Sequence, residues 1–150
     1  VRIPARPPIG HLIAYEYLWR SKAHQREDGA KIYPTAIVLA RDDLGPTSIA
    51  YALGISHMRP PPNRRALEVP GKLKRHLGLD GEPSWAYTDE VNVFAWPGPD
   101  LRLAKSLSTL PNLKDDCVIG RLPDDWFARL IADVGESYRQ AVMRVVRRSE

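Results

Sequence analysis

A strand-rich α+β domain, built on a small, curled antiparallel sheet or partly open barrel, is the fold class the sequence predicts. Three observations predict it. Short apolar and β-branched runs recur along the chain, separated by turn residues. Fourteen prolines, clustered at 4–8, 60–62 and 97–99, cut the chain into short segments. Only the C-terminal quarter carries an extended helical pattern of apolar residues. At 150 residues a single domain, spanning 1–150, is the natural expectation.

In order along the chain, residues 1–8 form a proline-rich arm, and Ile9 to Trp19 read as a strand with partial alternation. Ser21 to Ala30 is a polar, charged loop, long enough to be a functional segment. Thr35 to Arg41 is almost continuously apolar, which predicts a central strand. Asp42 to Pro46 is a turn, and Ser48 to Ile55 is the next strand. Met58 to Arg65 is a proline-rich basic loop, followed by a short strand at Ala66 to Val69. Gly71 to Gly78 predicts one or two helical turns, with Gly78 suited to a left-handed cap and Arg75 and His76 to the negative helix end. Ser84 to Tyr87 and Glu90 to Trp96 read as strands, and Cys117 to Leu122 as a short strand or connector. The spacing of Phe127, Leu130, Ile131, Val134, Tyr138, Ala141, Val142 and Val145 predicts a C-terminal amphipathic helix over 123–148, started by Pro123 and Asp124-Asp125.

Composition narrows the function classes. The single cysteine, Cys117, cannot pair within the chain and fits a reducing, cytoplasmic setting. The four histidines are scattered and no Cys/His set has zinc-ligand spacing, so neither a metal nor another cofactor is expected. No apolar run approaches the roughly 20 residues of a membrane span, and Val1 to Pro8 lacks the hydrophobic core of a signal peptide. A net charge of +4 permits contact with a polyanion and equally serves solubility.

Four stretches in order resemble the PemK/MazF-like toxin family of bacterial toxin–antitoxin modules, in its longer PemK-like form. Gly10-His11-Leu12-Ile13 resembles the family's opening strand. Lys31-Ile32-Tyr33-Pro34-Thr35-Ala36-Ile37-Val38-Leu39 resembles its Lys-Asp-Arg-Pro-x-x-Val-Val-Leu element. Ile55-Ser56-His57 with Pro60-Pro61 resembles its Ile-Thr-His-x-x-Pro element. Leu77-Gly78-Leu79-Asp80, Ser84-Trp85 and Glu90 to Phe94, running into Trp96 to Leu101, complete the set. The resemblance implies an SH3-like barrel with added helices, usually a homodimer. It implies metal-independent cleavage of single-stranded RNA, and an antitoxin whose acidic segment blocks the same groove. The family's arginine stabilises the phosphate and its threonine assists. Here Tyr33 stands at the arginine position and Ser56 at the threonine position. A neutral hydroxyl replaces a charged, forked donor, a loss that typically costs about 10²–10³ in rate.

Cleavage of RNA by its own 2′-hydroxyl needs a base, a charge at the developing phosphorane and a proton for the leaving oxygen. His57 is the natural acid/base group, with strand capping as its structural alternative. Lys31 can supply positive charge, Tyr33 a hydrogen bond or a stacking face, and Ser56 a hydroxyl for a phosphate oxygen; solvation, packing and backbone capping are the respective alternatives. Arg20, Lys22, Arg26, Arg59, Arg64 and Arg65 can line a phosphate groove. Tyr17, Trp19 and Trp85 can stack bases or fill the core. Glu90 and Asn92 can read a base edge or brace a strand. The resulting candidates are a toxin-like endoribonuclease, a catalytically inactive member of the same fold that binds protein or nucleic acid, and a gyrase-directed toxin.

Overall fold

The computed structural model describes residues 3–25, 31–42 and 45–148. Nine strands form one mostly antiparallel sheet: β1 (His11–Tyr15), β2 (Tyr33–Arg41), β3 (Ile49–Ser56), β4 (Ala66–Glu68), β5 (Trp85–Tyr87), β6 (Glu90–Ala95), β7 (Leu101–Arg102), β8 (Val118–Arg121) and β9 (Arg144–Arg147). Two α-helices, α1 (Gly71–His76) and α2 (Asp124–Arg139), and two short 3₁₀ turns complete the α+β fold. The main path runs β4-β5-β3-β2-β1-β7, and its two ends do not meet.

Two strands divide one edge between two neighbours. β1 pairs with β2 on one side and with β8 and then β7 on the other. β3 pairs with β2 on one side; on the other, Ile49–Ala52 face β6 and Ile55–Ser56 face β5. These forks curl the sheet. The apolar runs are continuous because both sheet faces are covered. Leu12, Leu53 and Val93 point into a core closed by Leu73 of α1 and by Trp126 and Leu130 of α2. Their neighbours Ile13, Ala52 and Phe94 point into a second core with Tyr15, Tyr17, Trp96 and Cys117. Pro34 sits inside β2 at no cost to the β3 ladder, whose register begins one residue later at Thr35↔Gly54.

The expected elements at 35–41, 48–55, 66–69, 71–78, 84–87 and 90–96 are present with shifted ends. The first strand is shorter than the reading 9–19, because beyond Tyr15 the backbone leaves the sheet. Asn92 captures Leu18 instead, its Oδ1 accepting from the Leu18 N–H and its Nδ2 donating to the Leu18 carbonyl, both at 2.9 Å. The loop expected at 21–30 begins with a 3₁₀ turn, Arg20–Gln25. The two-residue strand β7 was not expected.

The C-terminal helix is also shorter than 123–148. It ends at Arg139, and Ala141, at φ 57°, reverses the chain. The Ala141 N–H donates to the Tyr138 carbonyl and the Val142 N–H to that of Ser137, a Schellman closure. Arg144 to Arg147 then pair parallel with β6, and Val146 is buried. The helical spacing over 138–145 misled because Tyr138, Val142 and Val145 are all exposed, and Val145-Val146 suit a pleated strand better than a helix. A non-glycine residue in the left-handed region costs about 1 kcal/mol. Ala141→Gly is therefore expected to stabilise the protein by about 0.5–1 kcal/mol in urea denaturation, whereas Ala141→Val should destabilise it.

Candidate functional site

The site begins where β3 ends. Ser56 is its last residue, and the Ser56 hydroxyl oxygen accepts the Met58 N–H at 3.1 Å, turning the chain so that His57 stands exposed at the strand end. Helix α1 brings the partner for His57. Gly78, at φ 69°, closes α1, with Gly78 N–H bonded to the Arg75 carbonyl and Leu79 N–H to that of Lys74. This Schellman turn folds Asp80 back over the helix. Only glycine fits there, since a Cβ would meet the Ser108 Oγ at 2.6 Å and the Leu110 nitrogen at 2.8 Å.

Asp80 thus reaches both the His57 imidazole and the Lys74 ammonium. Its carboxylate oxygens lie 2.9 and 3.0 Å from His57 Nε2, and Oδ1 accepts from Lys74 Nζ at 2.8 Å. The Lys74 side chain is 6% exposed, and its ammonium also donates to Ser84 Oγ at 2.7 Å and to the Glu82 carbonyl. Burial raises the Asp80 pKa, but hydrogen bonds from Lys74, His57 and the Glu82 N–H outweigh it and hold the group at about 2. An ionised carboxylate only accepts, so His57 carries its proton on Nε2 and leaves Nδ1 as the basic nitrogen. Glu82 Oε2 lies 3.9 Å from Nδ1.

A cavity of about 170 Å³ gathers these groups. Lys31, Tyr33, Ser56 and His57, the four residues singled out for chemistry, all line it, together with Lys74, Asp80 and Ser84. Lys31 is exposed, with Nζ 5.3 Å from the centre of the Tyr33 ring. Ser56 and Tyr33 also line an adjoining cavity of about 230 Å³ with Trp19, Lys22, Arg64 and Tyr87. Its wall is aromatic: Trp19 stands edge-on to both Tyr33 and Tyr87 at 5.5 Å between ring centres. Trp19 packs closely on β3 because Gly54 has no side chain; a Cβ there would meet the indole at 2.7 Å.

Other expected site residues are placed differently. Arg64 lines the aromatic cavity, but its charge is committed. Nε and one terminal nitrogen each bond Asp89 at 2.8 Å, and this pairing raises the arginine pKa. Glu90 and Asn92 are 1% and 0% exposed, so neither can read a base edge. Glu90 accepts from the Tyr17 hydroxyl at 3.1 Å and the Arg20 N–H at 3.3 Å, and Asn92 holds Leu18. They pin the segment carrying Trp19 to β6. Burial raises the Glu90 pKa despite these bonds. Tyr17 belongs to the core. Trp85 is half-buried opposite Ser56 in the β3–β5 register, outside the lining of both cavities. Arg20 and Arg59 are exposed beyond these linings, Arg65 pairs with Asp133, and Arg26 lies outside the described residues.

Sequence reasoning missed Lys74, Asp80 and Tyr87. Lys74 looks like one more helix cation, and the separation of 23 positions from His57 to Asp80 leaves no spacing signal. His57, Asp80 and Glu82 can each offer a ligand atom to a cation within 4.8 Å of one another, a juxtaposition also absent from the sequence reading. The Lys74 ammonium already neutralises Asp80 there and opposes a second positive charge. Among the described residues no helix is long and apolar enough to cross a membrane. No family model, curated protein or solved structure matches the chain.

Because the Asp80 pKa is lowered from the ordinary 3.8 to about 2, its ionisation contributes stability that is fully present above pH 3.8 and lost as pH falls through 2. Lys74→Met should move the Asp80 midpoint upward, read by carboxyl-carbon NMR. A midpoint still at about 2 would assign the shift to His57 and the backbone instead.

Proposed function

We propose that this protein is a PemK/MazF-like toxin of a bacterial toxin–antitoxin module, an SH3-like barrel with added helices that cleaves single-stranded RNA without a metal. The carrying observation is the convergence of Lys31, Tyr33, Ser56 and His57 on one cavity, with His57 oriented by Asp80. In this reading His57 Nδ1 takes the proton of a 2′-hydroxyl. The 2′-oxygen attacks phosphorus, the bond from phosphorus to the 5′-oxygen breaks, that oxygen takes a proton from solvent, and the products are a 2′,3′-cyclic phosphate and a 5′-hydroxyl. Asp80, on the opposite ring nitrogen, stabilises the imidazolium that forms. Lys31 faces the developing phosphorane charge, and Ser56, whose oxygen is occupied by Met58, offers its proton to a phosphate oxygen. Trp19 and Tyr33, both partly exposed, form a stacking pocket for a neighbouring base, with the buried Tyr87 in its lining.

This arrangement supplies by one exposed lysine, Lys31, what the family draws from an arginine. A lysine is a point charge without the forked geometry, so the reading carries a lowered rate. The exposed cations Lys22, Lys31 and Arg59 suit a phosphate backbone or the acidic segment of an antitoxin. A homodimer and a cytoplasmic site of action belong to the same reading.

One observation favours a second reading, an inactive relative that binds protein or nucleic acid, whether or not gyrase is the target. Among the described residues no arginine lines the His57 cavity, and Arg64 beside it is tied to Asp89. A gel assay on a long single-stranded RNA separates the two readings. The nuclease reading expects discrete fragments, lost by about 10²-fold or more in His57→Ala and increased in Tyr33→Arg. Intact RNA at high protein and low salt, with Tyr33→Arg equally silent, would favour the binding module. In the same assay EDTA should leave cleavage unchanged; loss in EDTA with recovery in magnesium would bring the His57–Asp80–Glu82 cluster in as a metal site.

A further inference from the structure

Helix α1 also walls a larger cavity, of about 490 Å³, that opens against the start of α2. Its floor is apolar, formed by Leu73 and Trp126, each 5% exposed. Its rim is basic. Lys72 and His76, four residues apart on one face of α1, and Arg129 of α2 all line it. None of these three has a hydrogen-bond or ion-pair partner among the described residues, in contrast to Lys74, Arg64 and Arg65. Asp125 is the one carboxylate in the lining among the described residues, and its Oδ1 is turned to the helix start, accepting the Trp126 N–H at 2.8 Å.

Trp126 also carries a buried polar atom. Its indole Nε1 is buried without a hydrogen-bond partner. Two arginine Nε atoms share that condition, yet both guanidinium groups bond carboxylates through other nitrogens, Arg65 to Asp133 and Arg148 to Asp100. The indole has no second polar atom, so its deficit is uncompensated in the fold. That nitrogen has no exposed surface, so it adds no donor to the lining, and the charge of a ligand must be met by the rim.

We propose that this cavity binds a small carboxylate with a flat apolar body. The volume falls in the small-ligand range of roughly 300–1,000 Å³. The floor accepts a ring, and the unpaired cations of the rim complement a single negative charge. No residue of the cavities around His57 and Trp19 lines it, so the proposal does not rest on the nuclease reading.

The test is a titration of the full chain, labelled with ¹⁵N, with naphthalene-1-acetate, read on the indole N–H resonances. Trp126→Phe assigns the signal of interest. The proposal expects a saturable shift of the Trp126 resonance. Lys72→Ala and Arg129→Ala, both at exposed positions, should each weaken binding by about 2- to 5-fold. The neutral naphthalene-1-acetamide should bind roughly 5- to 10-fold more weakly than the acid. The proposal is overturned if the Trp126 resonance shows no saturable change, if acid and amide bind equally, or if both alanine variants bind as the unaltered protein does. Saturation by a poly-glutamate peptide without saturation by naphthalene-1-acetate would also overturn it, in favour of a macromolecular partner.

Discussion

Strand β3 runs beside β2 on one edge and beside two different strands on the other, and the switch between them at Leu53–Gly54 is the constraint on which most of the structure depends. Up to Ala52 the strand belongs to the sheet that carries β6 and β9. From Ile55 it belongs to the small sheet of β5 and β4. One strand cannot serve both without bending away from the common plane, and glycine at the bend leaves room for an aromatic ring to close the gap. Trp19 fills it. The fork therefore creates the aromatic cavity, and the strand beyond it delivers Ser56 and His57 to a second cavity sharing the same rim.

Buried polar groups of β6 and the turn before it fix the other side of that platform. Asp89 accepts two bonds from Arg64 and one from the Arg65 N–H, while Glu90 and Asn92 take up backbone groups between Leu18 and Arg20. Such groups are costly to bury unless fully bonded, and removing one partner of a buried ion pair typically costs about 3–5 kcal/mol. Their return is positional. The segment 16–20 leaves the sheet and must still hold Trp19 to the fork, and Asn92 replaces the missing strand partner with a side-chain amide. Arg148 applies the same principle at the chain end, bonding Asp100 at 2.7 Å and the Glu16 carbonyl at 2.8 Å with its side chain 3% exposed.

The candidate site differs in kind, since its charges are half exposed and less than fully neutralised. Lys74 is the exception: a buried ammonium holds Asp80 ionised, and ionised Asp80 sets the tautomer of His57. The chain of dependence runs from the Gly78 turn to Asp80 and from there to the imidazole. A helix of six residues thereby affects the chemistry available at the end of a strand more than its size suggests.

Much of the scaffold was legible in the sequence for a simple physical reason. Alternating or continuous apolar runs bounded by proline and glycine report local backbone preference, so β2, β3, β6 and α1 stood close to their expected positions, and Gly78 announced its own cap. The grouping of Lys31, Tyr33, Ser56 and His57 was legible too, since strand ends gather side chains that lie near one another once neighbouring strands pair. Where the competition was between local pattern and long-range pairing, the sequence could not decide. Helical spacing over 138–145 yielded to a free edge of β6, and the polar positions Glu90 and Asn92, suggestive of recognition, were spent on bracing a distant segment. Asp80 reached His57, and Trp126 reached the wall of its cavity, only through packing between elements far apart in the chain. Such contacts are set by the sum of the core rather than by any local signal, and tertiary structure alone decided them.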